Sequence, residues 1–463
     1  MIGRRFVVSS RVPRTRYRAL ILLREVNRLL RLAVPIIVSQ LGQVGMNTAD
    51  TIMVGPLGAT ALASAGLGSA IHFFGLIISV GVITGLTPIV SQAFGAGNPA
   101  RCRQALIQGL WVALMVSVPV VVANAAGQPI ARALGQEPAV AELAGSYMRA
   151  LAWGVPGYFL FVALRQYLEA MNRPAAPMVV TFIGLAVNIA ANRVLIYGID
   201  GVVPALGVVG SGYATSIVRV SMLLILVVWV VLHPELRPFS GGVRRAPDRR
   251  MIGSILTIGL PVGAQYGLEV GLFSFAAVVM GWLGPTELAA HQVTINIAST
   301  TFMVALGVSI AGSVRVGQHI GARRRGAMRR AALAAYLLSV GFMGLCALLF
   351  LVMPRALIGL YTRDPALLDL GTRLLLVAAA FQLFDGAQVA GISVLRGAAD
   401  TRIPMLIAGL GYWGLGVPVG YVLAFAGGLS AIGVWMGLSV GLAAVAVLLA
   451  LRVRRTLWRD GAV

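Results

Sequence analysis

The fold is decided by a stretch that this sequence contains twice. Residues 35–58 read PIIVSQLGQVGMNTADTIMVGPLG, and residues 261–284 read PVGAQYGLEVGLFSFAAVVMGWLG, a shift of 226 positions. The same shift matches further residues along the chain: Pro35 with Pro261, Gly45 with Gly271, Gly55 with Gly281, Gly58 with Gly284, Leu62 with Leu288, Gln92 with Gln318 and Gly95 with Gly321. Because prolines and glycines fix kinks and close packing, we interpret the chain as two copies of one structural unit.

Around this repeated stretch, the composition is that of a membrane protein. The 463 residues are 58% hydrophobic and 11% charged, with a mean hydropathy of +0.88, whereas a soluble chain is usually about 25% charged. A span and its loop take roughly 30 residues, so the length allows about a dozen spans. Twelve apolar runs are present: 32–55, 64–94, 106–126, 147–170, 177–197, 208–232, 252–283, 288–314, 331–353, 374–395, 405–425 and 429–451. We expect an all-α membrane protein with twelve transmembrane helices.

The polar stretch 233–250 divides these runs into two sets of six. The predicted domains are a basic arm 1–31, an N-lobe 32–232, a linker 233–250, a C-lobe 251–452 and a tail 453–463. Six crossings return the chain to its starting side, so both copies have the same orientation. Two such copies are related by an axis along the membrane normal, and their interface usually holds the substrate site of a transporter.

The net charge of +22 comes from arginines that cluster in alternate loops between the apolar runs. The positive-inside rule places those loops, and with them both termini, in the cytoplasm. We interpret residues 1–31 as a retained arm, partly an amphipathic surface helix, and not as a cleaved signal peptide. Charge in this arrangement argues against nucleic-acid binding. The chain lacks the common catalytic motifs, so an enzyme is not expected.

Three carboxylates fall inside apolar runs, where an unpaired charge costs several kcal/mol. They are Asp50, Glu269 and Asp385. Such residues favour an ion or proton site that faces a water-filled cavity. The alternative is a structural ion pair with one of the intramembrane arginines, which are Arg165, Arg193, Arg219 and Arg315.

Polar residues predicted to lie near Asp50 favour a cation site in the N-lobe. Asn188 and Asn192 are four residues apart and therefore share one helix face, and Thr215 lies in the outer half of the sixth span. Their oxygens and the carboxylate are hard donors that suit Na⁺, and a protonated Asp50 could hold a proton instead. Hydrogen bonding between helices is the alternative role of the three neutral residues. His72 is interpreted as a packed, hydrogen-bonded side chain.

Several motifs together resemble those of one transporter family. Residues 35–55 resemble its opening span, SQAFGAG at 91–97 its second loop, and GLPVG at 259–263, leading to Glu269, its seventh span. DGAQ at 385–388 and LRGAADTRIP at 395–404 resemble its tenth span and the loop that follows. Over about residues 25–455, the chain resembles the MATE family of multidrug and toxic compound extrusion transporters, in its bacterial NorM-like branch.

The resemblance implies two six-helix lobes around a central cleft, export of cationic amphipathic molecules, and energy from entry of Na⁺ or H⁺ without a cofactor. It also implies site residues: a cation site at Asp50, Asn188, Asn192 and Thr215 in the N-lobe, and a cation or substrate site at Glu269 and Asp385 in the C-lobe. Either site could hold Na⁺. Candidates for lining the cleft are Gln40, Gln43, Gln265, Gln382 and Gln388. We expect a monomer embedded in the lipid of the bacterial inner membrane.

We interpret the protein as a secondary antiporter that exports organic cations by rocking its two lobes. The alternative is a flippase of lipids or lipid-linked oligosaccharides from the same superfamily. A flippase of anionic headgroups should line its cleft with several basic residues. The deep acids favour the exporter, while the four intramembrane arginines keep the flippase open.

Overall fold

The computed structural model describes residues 14–234 and 245–458, and almost all of these residues are helical. The helices of the first half are α1 (Arg14–Val54), α2 (Ala59–Ile83), α3 (Leu86–Gly95), α4 (Pro99–Ala125), α5 (Gly127–Ala133), α6 (Pro138–Ala152), α7 (Val155–Ala170), α8 (Ala175–Tyr197) and α9 (Gly207–Leu232). Those of the second half are α10 (Arg249–Leu283), α11 (Pro285–Gly321), α12 (Arg325–Val352), α13 (Pro354–Gly359), α14 (Pro365–Gly397), α15 (Arg402–Gly409), α16 (Val417–Tyr421) and α17 (Ser430–Trp458). Wider turns of π-helix at Leu410–Gly416 and Val422–Ala426 follow α15 and α16, so 402–426 forms one span.

Within the described residues, eleven helical segments are long and apolar enough to cross a membrane. A twelfth span is the pair α6 and α7, which is bent by 48° between Ala152 and Val155. Pro156 in the first turn of α7 lacks a backbone N–H, which fits a new helix start at this bend. Two sets of six spans confirm the predicted all-α membrane protein with twelve transmembrane helices.

The first helix is longer than the sequence predicted. α1 begins at Arg14 and continues to Val54, so it includes the described part of the predicted arm. Leu29 and Leu32 are buried because their spacing places them on the face that contacts the bundle. At Leu29 the predicted arm is therefore part of the first span, which begins at Leu20. The remaining predictions for the chain ends and the linker, at 1–13, 235–244 and 459–463, lie outside the described residues.

The lobes meet at the end of the bundle that carries loops 96–98, 172–174, 322–324 and 398–401, which we call the basic end. Helix α2 and the turn that follows it cross α10 there at glycines. A Cβ atom on Gly81 would lie 2.6 Å from the Cα atom of Gly263, and one on Gly85 would lie 2.8 Å from the nitrogen of Gly259. Only the absence of side chains allows the two backbones to touch.

A reciprocal contact relates the two lobes at the same end. Gly95 of α3 packs against the backbone of Gln318, and Gly321 of α11 packs against the backbone of Gln92. These are two of the repeat-matched pairs in the sequence, so equivalent residues exchange places across the interface. Such an exchange is the geometry expected for two copies related by a pseudo-twofold axis.

Candidate functional site

The four residues predicted for the N-lobe cation site lie together, on three helices. Asp50 of α1 accepts hydrogen bonds through Oδ1 from the Nδ2 atoms of Asn188 and Asn192 of α8, at 2.9 and 2.6 Å. The Thr215 hydroxyl of α9 donates to Asp50 Oδ2 at 3.3 Å. Both asparagines are buried, at 1% and 0% exposed, so the cluster lies inside the lobe.

This N-lobe cluster has the chemistry to hold a small cation. Asn192 Oδ1 is buried and has no hydrogen-bond partner among the described residues. An orphaned buried acceptor is costly, and together with the Asp50 carboxylate it offers hard oxygen ligands. A proton on Asp50 would neutralise the same carboxylate. In the part of the chain that is described, no three His, Cys, Asp or Glu side chains are grouped as a metal site.

A second network lies beside this cluster, around a buried arginine. Arg219 Nη1 lies 3.0 Å from His72 Nε2, and the guanidinium lies 5.0 Å from the ring centroid of Tyr158. His72 Nδ1 lies 3.2 Å from Asn124 Oδ1 and 2.9 Å from Asn124 Nδ2. The side-chain amide of Asn124 therefore provides the hydrogen-bond partner of this nitrogen. Within the described ranges, no ion pair shorter than 4.0 Å joins Arg219 to Asp50. The Asp50 carboxylate is therefore not locked by the arginine.

The two C-lobe acids lie near each other, on different helices. Glu269 lies in the middle of α10, and Asp385, 4% exposed, lies in α14. Their charges are close enough to interact. Among the described residues, no side chain donates a hydrogen bond to either carboxyl group. These acids are thus less enclosed by donors than Asp50 is.

A cavity of about 270 Å³ lies between the lobes. Its wall includes Glu269 and many apolar or aromatic side chains. The lining residues are Gln40, Phe73, Ile77, Val80, Thr84, Thr87, Arg165, Gln166, Tyr266, Glu269, Val270, Phe273, Ser299, Phe302, Met303, Leu306, Ile310, Ser313 and Arg396. An apolar cavity with a few polar groups is typical of a small-molecule site. Asp385 does not line it.

Of the five glutamines proposed to line the cleft, Gln40 lines this cavity and accepts a hydrogen bond from Arg165 Nη1 at 3.4 Å. Gln382 instead donates to the Thr301 hydroxyl at 2.5 Å. The remaining three, Gln43, Gln265 and Gln388, each bury a side-chain amide atom that lacks a partner among the described residues. Unlike Gln40, the other four glutamines lie outside the wall of the cavity; they are Gln43, Gln265, Gln382 and Gln388.

Most residues of the cavity wall were not predicted from the sequence, among them its two arginines, Arg165 and Arg396. From the sequence, Arg165 is an intramembrane arginine that needs a partner, and Arg396 belongs to the arginines clustered in the loops. In the structure Arg396 lies inside α14, one residue before its end. Its position next to Gly397, which packs on the backbone of Ser313, is the signal that could have indicated a buried side chain.

A charged cluster holds the lobes together at the basic end. Glu25 Oε1 of α1 accepts hydrogen bonds from Arg315 Nη2 at 2.7 Å and Nε at 2.9 Å, and lies 3.2 Å from His319 Nε2. Gln318 Nε2 donates to the backbone oxygen of Ala170 at 3.0 Å. Because α11 belongs to the C-lobe and its partners to the N-lobe, we call Glu25, Arg315 and His319 the basic-end clasp.

Comparison with known proteins finds this architecture elsewhere. The MatE family model matches residues 35–194 and 261–422, one segment in each half. The chain is 39% identical over 432 residues to the probable multidrug resistance protein NorM of Bradyrhizobium diazoefficiens, with 92% of each chain covered. It is 40% identical over 432 residues to the multidrug resistance protein NorM of Burkholderia vietnamiensis, covering 91% of this chain and 92% of the other.

Solved structures agree on the fold. The crystal structure of the eukaryotic MATE transporter AtDTX14 superimposes with a TM-score of 0.85 at 22% identity, covering 96% of this chain and 98% of that one. At this identity, the likeness speaks for the arrangement of helices alone. The comparisons do not favour the flippase alternative.

Proposed function

This chain belongs to the MatE family, and from that premise we propose that it exports several kinds of organic cation in exchange for Na⁺ or H⁺. It is a multi-pass membrane transporter and not an enzyme. Relatives that carry the name multidrug resistance protein support drugs as the transported class. The observation that carries the proposal is the acid Glu269 in the wall of an aromatic cavity between the lobes.

The cavity suits a flat, apolar cation. Phe73, Phe273 and Phe302 supply aromatic faces that attract positive charge as well as apolar surface. Among the described residues, Glu269 is the only one that brings a carboxylate to the cavity wall. In a low-dielectric surrounding its attraction for a cation is much stronger than in water. The aromatic faces and this carboxylate favour amphipathic cations over neutral molecules of the same size.

Ion coupling requires that ion and substrate prefer different states of the protein. We propose that Na⁺ or H⁺ binds the Asp50 cluster or the pair Glu269 and Asp385. Neutralisation of these acids weakens the negative potential that holds a cationic substrate. The drug then leaves toward the outside, and the ion leaves toward the cytoplasm after the lobes rock.

The basic-end clasp gives this rocking motion a physical switch. We propose that the cavity opens toward the basic end when Glu25 separates from Arg315 and His319, which contact it in this structure. With the basic end in the cytoplasm, as the positive-inside rule predicts, the closed clasp belongs to a state that excludes the cytoplasm. Alternating access then consists of closing and opening the two ends in turn.

Transport of ethidium into proteoliposomes with an imposed Na⁺ or pH gradient tests this function. We expect uphill ethidium movement under one of the two gradients, which also identifies the coupling ion. The double variant Glu269→Gln with Asp385→Asn should stop it, while Glu142→Gln, at an exposed carboxylate, should keep the wild-type rate. Full gradient-driven transport by the double variant would contradict the proposal.

A further inference from the structure

Arg219 carries a charge that no close carboxylate balances. Its guanidinium lies 5.0 Å from the ring centroid of Tyr158, and in the described part of the chain no carboxylate oxygen comes within 4.0 Å of its nitrogens. Asp50 is the carboxylate whose charge acts on it from farther away. An unpaired charge inside a membrane-spanning bundle costs free energy. A charge that is kept beside the N-lobe cluster at this cost indicates a role at that site.

The contact with His72 shows how the guanidinium is held. Arg219 Nη1 lies 3.0 Å from His72 Nε2. Because a guanidinium only donates hydrogen bonds, Nε2 must accept, so His72 is neutral and its ring proton is on Nδ1. Nδ1 then donates to Asn124 Oδ1, at 3.2 Å. Asn124 thus fixes the tautomer of His72 that accepts from Arg219, and the arginine is held by a neutral partner.

Arg219 is also placed to reach Asp50. It follows Thr215 by four residues in α9, so the two side chains share one helix face. Side chains on a helix lean toward its N-terminus, which here means from Arg219 toward Thr215. The Thr215 hydroxyl donates to Asp50 Oδ2 at 3.3 Å. Since one helical turn rises only about 5.4 Å, rotation about the arginine side-chain bonds brings the guanidinium to the carboxylate.

The balance of charge at the N-lobe cluster changes when Na⁺ leaves it. With the ion bound, the Asp50 carboxylate is neutralised, and the ion repels a guanidinium that approaches. Without the ion, Asp50 and Arg219 are opposite charges that lack partners, and they attract each other much more strongly than in water. A hydrogen bond to neutral His72 is weaker than a charge-assisted pair with a carboxylate. The guanidinium is therefore expected to move to Asp50.

We propose that Arg219 competes with Na⁺ for Asp50, and that His72 holds the guanidinium aside while the ion is bound. When the ion leaves toward the cytoplasm, Arg219 pairs with Asp50 and keeps the ion from binding again. His72 is a positioning residue that acts through Arg219. The inference rests on the proposed function, because it assigns the control of ion release to the same cluster.

Equilibrium binding of radioactive Na⁺ tests this competition without a transport cycle. Binding to the purified full chain in detergent is measured by scintillation proximity. Every protein carries Glu269→Gln with Asp385→Asn, so that the N-lobe cluster alone is measured. The variants are Arg219→Gln, Arg219→Lys, His72→Leu and His72→Gln, and Asp50→Asn gives the background.

The matched control is Arg193→Gln. Arg193 also belongs to an N-lobe span and lies 5.2 Å from the ring centroid of a tyrosine, Tyr197, but on the exposed surface of the bundle. Its substitution removes one positive charge without touching the network around His72. The Kd of Na⁺ should therefore stay unchanged.

We expect Arg219→Gln to lower the Kd of Na⁺ about tenfold, because it removes the competing charge. Arg219→Lys keeps that charge and should leave the Kd within about threefold of the unsubstituted site. His72→Leu should raise the Kd about fivefold, because the freed guanidinium pairs with Asp50. His72→Gln retains a hydrogen-bond acceptor for Arg219 and should change the Kd less than about twofold.

Combining the two substitutions separates competition from damage to the fold. The combined variant Arg219→Gln with His72→Leu should bind Na⁺ as tightly as Arg219→Gln alone, because His72 acts only through the arginine. Tight binding by the combined variant also shows that His72→Leu leaves the N-lobe cluster intact.

Unchanged or weaker Na⁺ binding by Arg219→Gln would overturn the inference, and so would weak binding by the combined variant. Absence of Na⁺ binding that depends on Asp50 would do the same. None of these results bears on ethidium transport under a pH gradient, which tests the proposed function separately. Conversely, absence of gradient-driven transport would remove the proposed function and leave the Kd values interpretable.

Discussion

The two lobes share one helical framework but surround their acids differently. In the N-lobe, Asp50 accepts hydrogen bonds from Asn188, Asn192 and Thr215. In the C-lobe, Glu269 faces the central cavity without such donors among the described residues. A carboxylate enclosed by short polar side chains suits a small ion, whereas one that lines an aromatic cavity suits an organic cation.

The sequence register leads to the same division. Under the shift that aligns the halves, none of the acids in these sites is matched by another acid. The aligned pairs are Asp50 with Ala276, Gln43 with Glu269, and Asn192 with Pro418. We infer that duplication kept the backbone while the chemistry diverged, so that the N-lobe couples the ion and the C-lobe holds the substrate.

The substitution Asp50→Asn should separate these two roles most strongly. Without the carboxylate, the ion has no differential affinity for the two states, and we expect gradient-driven ethidium transport to fall by roughly 100-fold or more. Binding of ethidium to the detergent-solubilised protein should change less than twofold. A comparable loss of ethidium affinity would break the proposed division between the lobes.

The substitution Glu269→Gln should have the converse effect on binding. Removal of the charge from the cavity wall is expected to raise the Kd of ethidium about tenfold, as loss of a favourable charge contact predicts. Fluorescence titration checks this result, with Glu142→Gln as the exposed control. If ethidium binds Glu269→Gln as tightly as wild type, the cavity acid is not the substrate contact.

The substitution Glu25→Gln should loosen the contact between the two lobes. The clasp loses its negative charge and leaves Arg315 without its carboxylate partner, and we expect the closed state to be destabilised by about 1–2 kcal/mol. Spin labels on Ala100→Cys and Gly326→Cys, both exposed and repeat-matched, with Cys102 and Cys346 replaced by serine, report the separation at the basic end. Longer distances should become several times more populated.

A matched control for the clasp is Asp400→Asn. Asp400 forms a 2.8 Å ion pair with Arg452, but both residues belong to the C-lobe. Its loss should leave the distance between the labels unchanged. The same shift in both variants would mean that the change reflects general loosening of the protein and not the clasp.

The substitution Thr215→Val should have the smallest effect. The Thr215 hydroxyl makes the longest of the three hydrogen bonds to Asp50, at 3.3 Å, and loss of a weak hydrogen bond costs about 0.5 kcal/mol. We expect the half-saturating concentration of the coupling ion to change two- to threefold in the transport assay. Asn192→Ala, which removes a 2.6 Å hydrogen bond, should change it more.

The sequence could predict the helical framework and the N-lobe cluster because both follow from the spacing of residues along the chain. Twelve apolar runs fix the spans, and a four-residue separation places Asn188 and Asn192 on one helix face. The meeting of α1, α8 and α9 needed the resemblance to a known family as well. The role of these residues as an ion site stays a prediction.

The sequence could not predict the wall of the cavity, because charge alone does not reveal burial. Arg396 lies in a sequence segment as basic as the exposed loops, yet it is 5% exposed. The extended α1 was missed for the same reason. Glu25 and Arg315 are 290 positions apart, and nothing in either segment indicates that they pair.

The contact between the lobes also bears on how the protein evolved. Gly95 packs on Gln318, and Gly321 packs on Gln92 in the same way. A contact that is self-complementary across a twofold axis can form between two identical chains. A six-helix ancestor carrying one such glutamine and glycine could therefore have assembled as a homodimer before gene fusion. In that ancestor every mutation acts on both subunits, whereas two copies of the gene allow one acid to change without its twin.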